Sequence, residues 1–192
     1  YQNPDLEDIE NIIPAGNNPD LSGTYTAGLC AGWTKIGTPT VSENTNASYY
    51  QQGTKSQKVV ATDGQGVQTS FTASTTARMV AWVNVYVESL AALAKLRIKI
   101  TDGYADFLNG DGITTTGAFV AEERRGIELT ISGSILAIYA EGGNATFYVD
   151  AAFVAVGDEF KKFLIGDMAD VLYQEAVDEL AARKNPETTY TI

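Results

Sequence analysis

The longest charge-poor run with a period of two covers 144–156, reading Asn-Ala-Thr-Phe-Tyr-Val-Asp-Ala-Ala-Phe-Val-Ala-Val. Phe147, Val149, Ala151 and Phe153 alternate with Tyr148, Asp150, Ala152 and Val154, which predicts a strand with at least one buried face. A second strand is predicted over 79–87. Met79, Ala81, Val83 and Val85 form its apolar face, and Val80, Trp82, Asn84 and Tyr86 a mixed one. Leu96, Ile98 and Ile100 set against Arg97, Lys99 and Thr101 give a third, with one buried and one wet face. The expected core brings Phe147, Val149 and Phe153 together with Val83, Ile98 and Leu129.

Shorter extended segments are predicted at 11–13, 33–41, 56–61, 66–71, 127–131 and 135–140. Asp63-Gly64 predicts a hairpin in which Val59 and Ala61 pair with Val67, Thr69 and Phe71. Glu141-Gly142-Gly143-Asn144 predicts another, leading back into the closing strand. Loops are expected at 15–23, at 43–53 with Tyr49 and Tyr50, and at 102–118, and a helical turn at 89–95. About nine short strands separated by turns describe an all-β, jelly-roll β-sandwich better than any α/β fold.

The period changes near the C-terminus. Met168, Val171, Leu172, Ala176 and Leu180 recur three and four apart, Asp167 caps the start, Arg183-Lys184 suit a helix C-terminus, and Pro186 ends it. The fold class is therefore a jelly-roll β-sandwich with a C-terminal α-helix. Residues 1–10 read as an incoming linker, 11–157 as the sandwich, and 158–192 as a linker, the helix and the opening of a β-strand. The chain is expected to be a segment of something larger, with its two ends close together at one pole.

Composition narrows the chemistry. Thirteen basic and 24 acidic side chains in 192 residues leave a net charge of −11, which disfavours nucleic acid and anionic membranes. No apolar run approaches the roughly 20 residues that span a bilayer, so no membrane insertion is expected. One cysteine, Cys30, excludes an internal disulfide. The absence of histidine removes the usual general base and zinc ligand, and no pair of acids stands out for hydrolysis; a non-enzyme is expected.

The candidate ligand residues are Trp82, Asn84 and Tyr86, because alternation on one strand would set an aromatic platform beside an amide, as a sugar face and its hydroxyls require. A core role for Trp82 is the competing reading. Arg97, Lys99 and Gln68 join this surface if their strands neighbour it, and Tyr50, with Tyr49, offers an aromatic loop. Trp33 follows a glycine turn into an apolar strand and reads as core. The Asp102, Asp106, Asn109 and Asp111 cluster lacks EF-hand spacing and reads as a solvated turn.

Asn11-Ile12-Ile13-Pro14, Gly32-Trp33, Ser56, Gly66-Val67, Ala81-Trp82-Val83 and Phe147-Tyr148-Val149-Asp150 resemble, in order and spacing, carbohydrate-binding modules of the family 4/9/22 jelly-roll type. The resemblance implies glycan binding on a concave sheet and one structural calcium ion. It places Asp150 at the family's metal-binding aspartate, while Asn17-Asn18-Pro19-Asp20 stands where the family carries Phe-Glu; the ion is expected on Asp150 and backbone carbonyls of the first loop near Asn17. Residues 170–176 with 184–190 resemble a helix-then-strand passage of phage tail proteins. Together these imply a glycan-binding type module of a virion tail, meeting cell-surface or cell-wall polysaccharide and other tail proteins within a homo-oligomeric assembly. The alternatives are a purely structural decoration domain of the tail, or a secreted module appended to a glycoside hydrolase.

Overall fold

The computed structural model describes residues 11–72, 77–101, 105–107, 111–129 and 134–156. The chain divides into two compact units, Tyr1–Glu159 and Phe160–Ile192, and every described residue lies in the first. The predicted helix at 167–184 and the expected proximity of the ends lie outside the described residues.

Among the described residues twelve strands run in chain order: β1 (Tyr25–Thr26), β2 (Leu29–Cys30), β3 (Trp33–Ile36), β4 (Thr40–Asn44), β5 (Ser56–Ala61), β6 (Gly66–Phe71), β7 (Ala77–Leu90), β8 (Lys95–Thr101), β9 (Ala105–Phe107), β10 (Phe119–Leu129), β11 (Ser134–Glu141) and β12 (Ala145–Val156). Two antiparallel five-stranded sheets form the sandwich. One is ordered β10-β7-β12-β5-β4 and is called the front sheet below; the back sheet is ordered β3-β6-β11-β8-β9. Their inner faces share one core, with Val41, Val59, Phe147 and Val87 in one cross-strand row of the front sheet, and Leu136, Ile138, Ile98 and Ile100 opposite. Trp33 belongs to this core, 3% exposed.

Asp63-Gly64 and Gly142-Gly143 make arches, not the expected hairpins. β5 lies in the front sheet and β6 in the back, and β11 and β12 are likewise separated, so neither pair shares a ladder. Each turn carries the chain across the sandwich, the connection that a jelly roll needs. The two arches are tied side by side, because the Gly142 amide donates to Asp63 Oδ1 at 2.7 Å and Gly64 donates to the Ala140 carbonyl at 2.8 Å. The segment 89–95 is not a helical turn either. β7 continues to Leu90, and a tight turn follows with Leu93 at φ 69° and 91% exposed.

The closing strand changes phase at Asp150. Val149 stands opposite Val85 but Ala151 stands opposite Asn84, which leaves Asp150 as the extra residue of a β-bulge. Phe147 and Val149 face the core as expected. Beyond the bulge it is Ala152 and Val154 that join the core, whereas Phe153 turns to the outer face opposite Trp82. The inward placement expected for Phe153 is thereby corrected. β5 pairs with β12 only as far as Gln57 opposite Val149, and the chain's first described residues satisfy the edge beyond. Val154 donates to Asn11 Oδ1 and Ile12 donates to the Val154 carbonyl, at 3.0 and 2.7 Å, and Ala152 donates to the Pro19 carbonyl at 2.8 Å. Residues 11–13 thus run beside β12 through a few bonds and form no strand of their own.

Candidate functional site: the outer face of the front sheet

Strand register sets one residue from each of five strands in a single row. Phe119, Tyr86, Tyr148, Lys58 and Ser42 stand opposite one another in that order across β10, β7, β12, β5 and β4. Val120, Val85, Val87, Phe147, Val149, Val59 and Val41 beside them along the strands belong to the core or pack against it, so period-two alternation directs this row outward. Tyr86 meets Phe119 and Tyr148 edge-on, with ring centroids 5.2 and 6.1 Å apart. The 3-10 turn Ala47–Tyr49, whose N-cap Asn46 accepts from the Ser48 amide at 3.0 Å, brings Tyr49 over the row. Tyr49 stacks on Tyr148 and meets the Tyr86 ring edge-on at 5.0 Å.

A polar network closes one side of this aromatic group. The Tyr148 hydroxyl donates to Glu88 Oε2 at 3.1 Å, Lys58 Nζ lies 3.4 Å from the same oxygen, and Lys58 sits 5.2 Å from the Tyr148 ring centroid. The Tyr148 hydroxyl beside it, and then Glu88, raise the Lys58 ammonium above its usual range. Burial raises the Tyr148 phenol. A second row lies one step along the same face: Thr40, Val60, Thr146 and Ser89 stand opposite one another across β4, β5, β12 and β7.

Of the residues expected here, Tyr86 occupies the row, Trp82 lies half-buried farther along β7, and Tyr50 is half-buried at the end of the 3-10 turn. Asn84 is not a surface amide. It is 2% exposed, and its Nδ2 donates to Asp150 Oδ2 at 2.9 Å and to Gln51 Oε1 at 3.1 Å. The loop carrying Gln51 and Gln52 crosses above it, so the expected Trp82-Asn84-Tyr86 platform is interrupted at its centre. Gln68, Arg97 and Lys99 do not join this face. β6 and β8 belong to the back sheet, where Gln68 and Lys99 both stand opposite Ala137, on the far side of the sandwich. Arg97 there pairs with Glu141 at 3.4 Å.

Asp150 is fully buried, and its compensation comes from N–H donors. Oδ2 accepts from the Gln51 and Gln52 amides at 2.9 and 3.1 Å and from Asn84. Burial raises its pKa, the three hydrogen bonds pull it down, and the net direction is up. Asp150 Oδ1 and Asn84 Oδ1 are buried with no hydrogen-bond partner among the described residues. Both are acceptors, and both are short of a positive partner. A hard cation suits such oxygens in kind, although it takes six to eight of them. Among the described residues no group of three or more acidic, cysteine or histidine side chains converges. Asn17 spends its side-chain amide elsewhere, donating to the Ser70 carbonyl at 2.8 Å.

No family model matches the chain, and no curated protein matches it. Solved structures do. The module TmCBM61, solved in complex with β-1,4-galactotriose, superposes with a TM-score of 0.56 at 15% identity, over 77% of this chain and 99% of its own. The C-terminal family 22 carbohydrate-binding module of Clostridium thermocellum Xyn10B gives 0.52 at 16%, over 74% and 100%. A xylan-binding domain from family 22 gives 0.52 at 15%, over 74% and 99%. This chain has the fold of carbohydrate-binding modules. The jelly-roll expectation is met on that ground, while identities this low leave the ligand to be argued from the chain's own residues.

The carbohydrate-binding-module fold accounts for the arches, since each five-stranded sheet is assembled from strands distant in sequence. Sequence reasoning missed Phe119, Tyr148, Lys58 and Thr146 as residues of this outer face. Phe119 fell between predicted segments, and Tyr148 was legible only as the polar-side partner of Phe147 and Val149. The alternation at 146–149 did place Thr146 and Tyr148 on one face; what it lacked was the register that lines them up with β5 and β7. Among the described residues no helix is long and apolar enough to cross a membrane.

Proposed function

We propose that the chain is a non-catalytic glycan-binding module whose ligand lies on the outer face of the front sheet. The observation that carries this reading is the five-strand row Phe119-Tyr86-Tyr148-Lys58-Ser42, which places aromatic rings, with Tyr148 capped by the Tyr49 ring, beside a cation and hydroxyls on the outer face of the sheet. Aromatic faces match the C–H faces of a pyranose, and hydroxyl, ammonium and carboxylate groups match its hydroxyls. One structural neighbour was solved with β-1,4-galactotriose and another is a xylan-binding domain, which supports neutral polysaccharide as the class to test first.

In its finer form the proposal makes this a module of a phage tail protein, outside the cell, meeting host-surface or cell-wall polysaccharide within a homo-oligomeric tail assembly. The support is the sequence resemblance of residues 170–176 and 184–190; a secreted module is the alternative setting. One calcium ion at Asp150 is part of the same proposal, supported by the two orphan buried oxygens. Binding to an array of neutral polysaccharides and host envelopes tests the function, with Tyr86→Ala expected to weaken it about tenfold or more. The second reading, a purely structural decoration domain, draws on the Tyr49–Tyr148 stack, which lets the aromatic row satisfy itself. A folded wild-type chain with no saturable carbohydrate signal would decide for it.

A further inference from the structure

The outer face of the front sheet does not end at the aromatic row. One step along the strands, roughly 7 Å away, lies the row Thr40-Val60-Thr146-Ser89. This row forms the floor of a cavity of about 620 Å³ that continues over the end of the sheet, walled by the turns that carry Gln65 and Asn144. Three features of it are informative together. Val60 is 43% exposed, a large apolar side chain left open to solvent in the middle of the floor. Its register partners on both sides are threonines, so an apolar patch is flanked by hydroxyls. Among the described residues no ionisable side chain lines the cavity.

The walls are fixed. Ala91 donates to the Asn144 carbonyl at 2.8 Å, joining the end of β7 to the second arch. Gln65 Nε2 donates to Thr38 Oγ1 at 3.2 Å, and Gln65 Oε1 accepts from the Thr62 amide at 3.3 Å. With the Asp63–Gly142 bond holding the two arches together, the cavity is preorganised and needs no ordering of its rim on binding.

We infer that this cavity is a second subsite, for an uncharged sugar unit of a chain whose other end lies on the aromatic row. It rests on the glycan-binding reading above and extends it from a single platform to a path along the strands. An apolar floor between hydroxyls matches a pyranose, which presents C–H groups on its face and hydroxyls at its edge. An anionic unit is disfavoured twice, because the described residues of the lining supply no cation and the chain carries a net charge of −11. A purely apolar ligand would strand the hydroxyl and amide groups of Thr40, Thr146, Ser89 and Asn144 without partners.

The test compares chain lengths on the full chain. Xylo- and galacto-oligosaccharides from triose to hexaose are titrated by calorimetry against wild type, Val60→Glu, Thr146→Val and Tyr86→Ala, with oligogalacturonates as the anionic counterpart. Val60 is open to solvent and Thr146→Val is isosteric, so the first two variants are expected to fold, which melting curves verify. The expected result is a hexaose-over-triose gain in affinity of about tenfold for wild type that Val60→Glu abolishes and Thr146→Val reduces. Oligogalacturonates should show no such gain. If Tyr86→Ala loses binding while both cavity variants keep the full length-dependent gain, the second subsite is overturned and the glycan-binding function stands. Preferential binding of oligogalacturonates through the cavity also overturns it. If no oligosaccharide binds the folded wild-type chain, both fall.

Discussion

Tyr49 lies flat on Tyr148, the ring centroids 4.2 Å apart and the planes 6° from parallel. One ring belongs to a short turn between β4 and β5, the other to the central strand of the front sheet. The contact therefore fixes a loop to the sheet through a face-to-face pair, and it is the reason Tyr148, on the outer face, is only 2% exposed.

Tyr49→Ala should cost about 0.5–1.5 kcal/mol beyond the area it uncovers, the usual worth of an aromatic pair. Tyr49→Phe, which keeps the ring, should leave stability unchanged. Urea denaturation of the two variants checks this, and equal losses from both would show that the stack is not what holds the loop.

Asp150 gives a pH signature. Its carboxyl is raised above the usual value of 3.8 because burial penalises the charged form. With the folded pKa above the unfolded one, its stabilising contribution is complete below the unfolded value and is lost as pH rises through the folded pKa. Relative to Asp150→Asn, wild type should therefore lose stability from about pH 4 upward, until the folded group is fully ionised. Melting temperatures of both proteins across that range read the difference directly; a wild type that gains on the variant with rising pH would contradict the sign.

Calcium would reverse this trend. A cation at the orphan oxygens favours the ionised carboxylate, so added Ca²⁺ should raise the wild-type melting temperature most where Asp150 is ionised, and Asp150→Asn should blunt the effect. An unchanged melting temperature with calcium and with chelator removes the metal from the proposal.

Gln57 is fully buried and holds the β1–β2 hairpin. Its Oε1 accepts from the Cys30 amide at 2.8 Å, and its Nε2 donates to the Gly28 and Ser42 carbonyls at 2.8 and 3.0 Å. Gln57→Met keeps the length but leaves these groups unpaired, at about 1–3 kcal/mol for each that stays buried. Hydrogen exchange at the Cys30 amide should accelerate in this variant, and unchanged protection there would mean that the hairpin is held by its packing alone.

The back sheet has its own sensitive point at Gly66, opposite Tyr139 on β11. A Cβ there would run into the Ile138 carbonyl oxygen and the Tyr139 Cα, both backbone, with no flexible side chain to give way. Gly66→Ala is expected to lower the melting temperature markedly, whereas Gly64→Ala meets nothing within 4 Å and pays only for its φ of 74°.

Much of the sandwich was legible because alternation reports which residues share a face. Phe147, Val149, Val83, Val85, Ile98 and Ile100 all read correctly as core, and Trp33 with them. Alternation says nothing about which strands become neighbours. Asp63-Gly64 has the chemistry of a hairpin turn, yet the same chemistry serves an arch, and the neighbourhood on which a place for Gln68, Arg97 and Lys99 beside Trp82 and Tyr86 depends is not met, since their strands lie in the other sheet. Asn84 failed for a different reason. Its role is set by Asp150 and by two amides of a loop more than thirty residues earlier in the chain, a relation carried by no local pattern. Tyr86 was found because its strand is regular through that position; Tyr148 and Lys58 needed the register.

The extra residue at Asp150 makes β12 behave differently toward substitution and toward deletion. Replacing any one residue leaves both halves of the strand in phase with the sheet. Removing Asp150 itself would join the halves in regular alternation: Val149 would still stand opposite Val85 and Ala151 opposite Asn84, Ala152 and Val154 would stay in the core and Phe153 on the outer face, and what is lost is the bulge with its buried carboxylate. The strand is thus a sentence with its frame shift built in: its two ends are read in opposite phases, and a shortening by one residue at the bulge would leave inside and outside as they are at both ends.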